Sequence, residues 1–300
     1  MSKPFQPELS LVIVSYNTKD VTVNCINSIV KSLSNSHITY EIVVVDNAST
    51  DGSVKMLKRY MLHATCLRLI ESKENLGFGK GNNLGVKHAA GEYVLFLNSD
   101  ILVLDRAIEK LLEYYKSQNS YKFIGGKLLN KDMTLQPSCG PFYRLFVTFT
   151  ALFLRGDYWG LTRYSPSKSK KVDWVSGACM MTTKKIFEEL SGFDKDIFMY
   201  MEEVDLLYRA KRAGYFTGFY PEAHFIHLGS MSSQGRTYPI LQVYKGFLYF
   251  YKKHFSPPAL IFLKFMLQLK AVIGVILGRL TSNRYLIDTY EKAFKIASLG

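Results

Sequence analysis

Three features of this 300-residue chain predict an α/β fold with a mostly parallel sheet covered by helices on both faces. Short apolar runs rich in Val, Ile and Leu alternate with stretches of helical spacing through the first third of the sequence. Two of those runs, Ile42 to Val45 and Tyr93 to Leu97, end abruptly in polar side chains, as strands do when a sheet delivers residues to its rim. A βαβαβαβ order also favours parallel pairing with right-handed crossovers.

Leu9 to Asn17 forms the first strand. Val21 to Leu33 follows as a helix, with Val23, Ile26, Ile29, Val30 and Leu33 on one face. Tyr40 to Asn47 is the second strand, and Ser49-Thr50-Asp51-Gly52-Ser53 caps a helix through about Met61. Cys66 to Glu71 makes a third strand. A Gly-rich loop from Asn75 to Gly81 precedes a helix over Asn82 to Ala90. The strand Tyr93 to Leu97 then leads into Asn98-Ser99-Asp100, and Asp105 is placed to cap a helix reaching Tyr115.

In open α/β sheets, ligands bind at the carboxyl ends of the strands. Asp100, flanked by Asn98 and Ser99, suits a hard divalent cation that grips a diphosphate, and Asp46-Asn47 ends a second strand on the same rim. With the adjacent Gly-rich stretch this is the geometry of a nucleotide-diphosphate site. Gly77-Phe78-Gly79-Lys80-Gly81 by itself decides little. It does not follow the first strand, and it lacks the Gly-Lys-Ser/Thr ending of a P-loop, so at least one of its glycines serves a turn with positive φ.

Composition narrows the classes. Nearly half the residues are hydrophobic and no repeat is visible, as in a folded globular chain. Cys25, Cys66, Cys139 and Cys179 are scattered without disulfide or zinc-finger spacing, which points to a reducing cytoplasm. Leu9 to Val14 is too short for a signal-peptide core. The net charge of +13 is uneven: residues 1–130 hold 15 basic against 12 acidic side chains, leaving 23 against 13 for residues 131–300. The excess clusters in Arg155 to Lys171 and from Lys245 onward among Phe, Tyr, Leu and Ile. That aliphatic density fits an anionic membrane surface and argues against a nucleic-acid partner.

The ordered set Val14-Ser15-Tyr16-Asn17, Val45-Asp46-Asn47-Ala48-Ser49-Thr50-Asp51-Gly52-Ser53, Asn75-Leu76-Gly77-Phe78-Gly79, Asn83-Leu84-Gly85 and Asn98-Ser99-Asp100 resembles the family 2 inverting glycosyltransferases of GT-A fold. The match continues through Trp174-Val175-Ser176-Gly177-Ala178, Gly192-Phe193-Asp194 and Phe198 to Leu206, roughly residues 9–235, and is most similar to the rhamnosyltransferase-like branch.

The resemblance implies a donor site for a nucleoside-diphosphate sugar, dTDP or UDP, formed by Ser15, Tyr16, Asn17, Asp46, Asn75, Gly77, Gly79, Asn83, Asn98, Ser99 and Asp100. Asp46 is expected to accept from a pyrimidine N–H. Asp100 is the metal ligand of the family's D-x-D motif, for Mg2+ or Mn2+, and Asn98 replaces the first Asp. One charge fewer implies weak metal affinity without nucleotide. Trp174, Ser176, Gly177 and Ala178 are implied on the acceptor side. The catalytic base belongs to the cluster Glu202, Glu203 and Asp205, with Glu203 at the family's position. First-turn acids also suit a helix dipole, which accounts for one or two of the three. Crowding raises at least one of their pKa values, as a base requires. His227, in His227-Leu228-Gly229-Ser230-Met231-Ser232-Ser233, matches a His that completes a metal shell. His224 is read as structural.

Tyr238 to Phe255 and Ala259 to Leu280 form two helical stretches around Ser256-Pro257-Pro258. Lys264, Gln268 and Lys270 make a membrane span costly for the second, so a helix lying in the interface is expected; a core helix stays open for the first. The division expected is a catalytic domain over 1–237, with a nucleotide-sugar half (1–130) and an acceptor half (131–237), then an amphipathic region over 238–300. The function read is metal-dependent, inverting transfer of a deoxyhexose such as rhamnose to a glycan or lipid-linked acceptor, on the cytoplasmic membrane face. A nucleotidyltransferase, a non-catalytic sugar-nucleotide binding module and a homo-oligomer stay open.

Overall fold

The computed structural model describes residues 6–62, 64–229 and 237–299. The first half runs β1 (Leu9–Ser15), α1 (Lys19–Leu33), β2 (Tyr40–Asp46), α2 (Ser53–Met61), β3 (Leu67–Glu71), α3 (Gly77–His88), β4 (Tyr93–Asn98), β5 (Ile101–Val103), α4 (Ala107–Ser117) and β6 (Phe123–Leu129). Next come β7 (Leu135–Gln136), β8 (Cys139–Gly140), α5 (Leu145–Phe153), β9 (Lys170–Val172), β10 (Trp174–Val175), β11 (Cys179–Thr183), α6 (Lys184–Glu189), α7 (Glu202–Arg212) and β12 (Thr217–His227). Three helices close the chain: α8 (Thr237–His254), α9 (Pro257–Leu280) and α10 (Arg284–Leu299).

The main sheet has the order β3-β2-β1-β4-β11-β6-β12-β5. β1 is parallel to both β2 and β4, and the registers Ser15↔Asp46 and Val14↔Asn98 bring three strand ends to one rim. Beyond β4 the sheet becomes mixed, because β11 returns antiparallel to β4 and β12 antiparallel to β5. One face packs on α1 and α4 through Ile26, Ile29, Ile108 and Leu111. The other packs on α3, α6 and α7, and its cluster continues into α8 and α9 through Phe247, Phe250, Tyr251, Leu263 and Leu267.

Two expected features change. The Gly-rich stretch is not a loop: α3 begins at Gly77, and only this glycine of the stretch has positive φ, +76°. A Cβ at Gly85 would lie 2.4 Å from Val12 Cγ1, and one at Gly81 2.9 Å from Val14 Cγ1. The glycines thus let α3 press against β1, and close packing overrides their poor helix propensity. Asp105 also fails as a cap. It sits at φ +42°, and α4 starts at Ala107 behind Arg106 with no side-chain cap.

The last helices are joined to α7 by a buried ion cluster. Asp205 on α7 is fully buried and contacts Arg209 at 2.8 Å, Lys253 at 2.8 Å and His254 at 2.7 Å. Burial alone raises its pKa, but His254, Arg209 and Lys253 outweigh that and hold the carboxyl at about 2. Lys253 also pairs with Asp194, which accepts from the Tyr249 hydroxyl and from Asp196 N, both at 2.9 Å. The stretch Tyr238 to Phe255 is therefore a core helix. α10, which sequence spacing did not single out, packs along α9 where a Cβ at Gly274 would meet the Tyr290 ring at 2.4 Å.

The folded pKa of Asp205 lies below the unfolded value of about 3.9, so its stabilisation is present above that pH and is lost as the pH falls through the folded value. Asp205→Asn is expected to cost about 3 kcal/mol at neutral pH, because it leaves buried cations uncompensated. Urea denaturation measures this, and the gap to the parent narrows as the pH drops below about 4. A cost under about 1 kcal/mol would show that the cluster contributes nothing beyond packing.

Candidate active site

The rim of β1, β2 and β4 opens into a cleft of about 1210 Å³ that reaches α7 and the β10–β11 turn. Asp100 ends the β4 turn and His227 ends β12, and the antiparallel pair Ile101↔His227 makes these distant residues neighbours. Asp100 Oδ1 lies 3.3 Å from His227 Nε2, and Asn98 Nδ2 lies 3.1 Å from the same nitrogen. Gln136 Oε1 sits 2.7 Å from His227 Nδ1, while Gln136 Nε2 donates to Asn130 Oδ1 at 2.9 Å. Nδ1 is therefore the protonated nitrogen of the neutral ring, and the Nε2 lone pair faces Asp100. Asn98 Nδ2 donates to that lone pair, and with Asp100 Oδ1 beside it the two acceptor atoms converge on one point of the cleft. One carboxylate oxygen and one imidazole are a donor set that fits Mn2+ or Mg2+. Among the described residues, no group of three or more His, Cys, Asp or Glu is arranged as a metal site.

Of the residues expected at the donor, Tyr16, Asn17, Asn75, Gly77, Asn98 and Ser99 line the cleft beside Asp100. Asn17 adopts φ +52° and accepts from Thr50 N at 2.7 Å, tying the β1 loop to the β2 loop. Four other expected donor residues stand behind the wall. Ser15 is buried and bonded to Thr18 at 3.1 Å and Thr22 at 2.9 Å. Asn83 brackets Phe193, donating to its carbonyl at 2.8 Å and accepting from its amide at 2.9 Å. Gly79 serves packing, since a Cβ there would lie 3.1 Å from Phe193 Cβ. Asp46 is 1% exposed; one oxygen accepts from Ser49 N at 2.9 Å, and Oδ2 is buried without a partner.

The acidic cluster divides. α7 begins at Glu202, so all three acids lie in its first turn. Tyr200 and Met201 before it both have positive φ, 66° and 75°, a backbone costing about 1–2 kcal/mol per residue. Asp205 lies outside the cleft in its ion cluster, which removes it from the expected catalytic set. Glu202 and Glu203 line the cleft, and each keeps a buried Oε2 without a partner. Burial, and then the charge of Glu203, push the Glu202 pKa well up. Burial raises Glu203 as well, opposed by its own amide, by Arg163 and by the amides of Val204 and Gly177. Of this pair, Glu203 is the member with an Arg and several amides opposing the rise, so it is the less strongly shifted of the two carboxyls.

Trp174, Ser176, Gly177 and Ala178 form the opposite wall. A Cβ at Gly177 would lie 3.1 Å from the Phe78 ring and 3.6 Å from Glu203 Cβ, so this turn has no room for a side chain. Ala178 O accepts from Asn98 N at 3.2 Å and locks the wall to β4. Gln136, Tyr143 and Arg163 line the same cleft. Sequence reasoning missed them because they sit on two-residue strands and irregular loops that carry no periodicity. Ser230 to Ser233, after His227, lie outside the described residues.

The profile of glycosyl transferase family 2 matches residues 10–191. The chain belongs to this family. The glycosyltransferase is 30% identical over 213 residues to the low-salt glycan biosynthesis hexosyltransferase Agl10 of Haloferax volcanii, covering 68% of this chain and 62% of that one. It is 28% identical over 228 residues to the rhamnosyltransferase WbbL of Escherichia coli K12, covering 72% and 82% of the two chains. Identity is also 28% over 207 residues with the N-acetylglucosaminyl-diphospho-decaprenol L-rhamnosyltransferase of Mycobacterium tuberculosis, covering 62% and 66%. The match thus spans less than two thirds of the archaeal and mycobacterial relatives. A mannosyltransferase of Pyrobaculum calidifontis, solved with GDP-Man and Mn2+, superposes with a TM-score of 0.59 at 16% identity over 99% of this chain and 77% of that one. The fold is GT-A, and the glycosyltransferase lies in the rhamnosyltransferase-like branch of its family.

A carboxyl with a raised folded pKa weighs against folding once it ionises, so the cost of the glutamate pair is absent below the unfolded pKa of about 4.3 and complete above the folded one. Glu202→Gln is expected to raise the melting temperature at pH 7.5, with the gain shrinking toward pH 4. A lowered melting temperature at pH 7.5 would mean that the Glu202 carboxylate is paired in solution.

Proposed function

We propose that this glycosyltransferase transfers a hexose, a deoxyhexose such as rhamnose in particular, from a dTDP or UDP donor to a glycan or lipid-linked acceptor with inversion at the sugar. The observation carrying this reading is the presence in one cleft of the Asp100–His227 donor pair and of Glu203, whose buried Oε2 has no partner. Inverting transfer needs one group to neutralise the leaving diphosphate and another to take the acceptor proton from the opposite side. Asp100 and His227 would hold Mg2+ or Mn2+, which supplies charge neutralisation for the diphosphate when bound. Glu203 accepts the acceptor hydroxyl proton, and the raised pKa of the neighbouring Glu202 opposes a second negative charge in the cleft. Asn17 and Tyr16 flank the nucleoside. Trp174 and the Ser176 to Ala178 turn bound the acceptor.

The reading extends to place. α9 is long and apolar enough to cross a membrane by length and composition. Its exposed stripe, Phe262, Phe265, Leu269, Val272 and Ile276, is bordered by Lys264 and Gln268 on one side and Lys270 on the other, as roughly 100° of turn per residue requires. A stripe with cations along its margins lies flat in an interface, with the amines reaching headgroups. A peripheral position on the cytoplasmic membrane face follows, and a homo-oligomer would bury the same stripe instead.

Glu203→Gln is expected to cut turnover by about a hundredfold or more with donor affinity unchanged, whereas Asp100→Asn abolishes metal-dependent nucleotide binding. Steady-state kinetics with a nucleotide-sugar panel, and calorimetry with UDP or dTDP and Mn2+, measure both. Full activity in excess chelator, or a dead Glu202→Gln beside an active Glu203→Gln, overturns the assignment. The full chain is also expected to bind anionic vesicles reversibly, more tightly than neutral ones and less tightly in high salt. Resistance to alkaline extraction would instead show a spanning helix.

A further inference from the structure

The β6–β7 hairpin stands beside the cleft, and of its residues only Gln136, at the returning end, lines it. Its side chains form a run of hydrogen bonds whose direction is fixed at the far end. Asp132, when ionised, can only accept, and the bonds from Thr134 Oγ1 at 2.6 Å and Thr134 N at 3.1 Å hold its carboxyl below the usual range. The Thr134 hydroxyl gives its proton to Asp132, so the Asn130 atom 2.9 Å from that hydroxyl must be the amide donor Nδ2. The same Nδ2 faces Leu135 O at 3.4 Å, which also only accepts. Asn130 Oδ1 is thereby left for Gln136, and Gln136 Nε2 faces it at 2.9 Å; His227 O, 3.3 Å from Nε2, imposes the same orientation. Gln136 Oε1 is then the atom 2.7 Å from His227 Nδ1, and it requires a proton there.

The other ring nitrogen is contested. Asp100 Oδ1 lies 3.3 Å from His227 Nε2, and a carboxylate in that place draws the proton of a neutral ring to Nε2. In that tautomer the pair closes on itself as Nε2–H···Oδ1, and no lone pair remains for a cation. Asn98 does not decide between the two forms. Its side chain makes no hydrogen bond among the described residues except the 3.1 Å contact with Nε2, so its amide can turn to suit either one. Gln136 has no such freedom, because turning its amide over would set Oε1 against two acceptor oxygens and Nε2 against a ring N–H.

We propose that Gln136 is a positioning residue for the cation: the hairpin over residues 130–136 holds the His227 proton on Nδ1, so that Nε2 and Asp100 together stay open to a divalent metal. This rests on the metal-dependent glycosyltransferase reading and adds residues on which metal binding depends although none of them touches the metal. Outer partners of this kind change metal affinity by about ten- to a hundredfold when removed.

The test follows His227 by NMR in the full chain carrying isotope-labelled histidine, with its signals assigned by their loss in His227→Gln. Ring-nitrogen shifts distinguish the two neutral tautomers, and added Mn2+ broadens the signals of a ring it approaches. The metal-free parent is expected to show the Nδ1–H form. Gln136→Leu, which cannot accept, should move the ring to Nε2–H and require roughly tenfold or more Mn2+ for the same broadening. Gln136→Glu keeps an acceptor and should retain the proton on Nδ1, while Asn130→Ala, which leaves Gln136 in place but unheld, should give a mixture of forms. Thermal melting shows which variants retain the fold. An Nε2–H parent, loss of the Nδ1 proton in Gln136→Glu, or a Gln136→Leu variant with the parent's tautomer or the parent's Mn2+ requirement overturns the proposal. If Gln136→Leu does not fold, an Asn130→Ala variant indistinguishable from the parent overturns it. A parent in the Nδ1–H form whose His227 signals ignore Mn2+, with UDP or dTDP present as well, strikes the metal reading itself and the proposal with it.

Discussion

The cleft depends on a buried carboxylate that takes no part in its chemistry. Asp205 holds Arg209 on its own helix and Lys253 and His254 on α8, and Arg209 Nη2 in turn donates to Gly192 O at 2.6 Å. One side chain thus ties together the turn before the acidic segment, the acidic helix and the first C-terminal helix. With α8 held there, Gly246 can approach Tyr200 and Met201 so closely that a Cβ would lie 2.9 Å from both Tyr200 O and Met201 Cγ. Those two residues occupy the positive-φ backbone that aims Glu202 and Glu203 at the cleft. The strain persists because packing and the ion cluster leave the segment no relaxed alternative.

Within that single helical turn, identical chemistry is driven in opposite directions. Asp205 is as buried as its neighbours, yet the cations Arg209 and Lys253 and a hydrogen bond from His254 keep it ionised. Glu202 and Glu203 have one another and mostly apolar walls, so burial raises both. The difference lies in which elements face each carboxyl: α8 brings cations to one side of α7, while α3 and the Gly177 turn bring glycine and phenylalanine to the other. The glycines of α3 contribute to this directly. A Cβ at Gly79 would sit 3.7 Å from Glu202 Cβ, so the helix walls off the glutamate without offering it a hydrogen bond.

The sheet's donor half was legible because its strands are local and strongly patterned: β1 to β4 appear within a residue or two of the apolar runs that predict them. Asp100, His227 and Glu203, singled out by ordered motif pieces, line one cleft. What the sequence hid is set by long-range contact. The Gly77 to Gly81 stretch reads as a loop by propensity and becomes helix because Val12, Val14 and Phe193 need backbone-close neighbours. Ser15, Gly79 and Asn83 sit in the right motifs, but their partners turn them away from the ligand space. Gln136, which sets the His227 tautomer, and Arg163 lie on segments whose position is decided wholly by tertiary packing.

The placement of charge explains why Asn98 is tolerable where a second aspartate would be expected. Asn98 Nδ2 is 3.1 Å from His227 Nε2, within reach of a ring that also faces Asp100 at 3.3 Å. A carboxylate at position 98 would crowd two anions against one imidazole in a cleft that already contains the glutamate pair. With Asn98, the Asp100–His227 pair carries a single negative charge, so on the function proposed above a divalent cation held there would keep net positive charge to share with the oxygens of a diphosphate. Such a site would hold its cation best with the nucleotide present, and Asn98 spares Glu202 and Glu203 a further like charge across the cleft. Fewer acids near Asp100 and raised pKa values at Glu202 and Glu203 are thus two consequences of one constraint: burying several carboxylates in a single cleft.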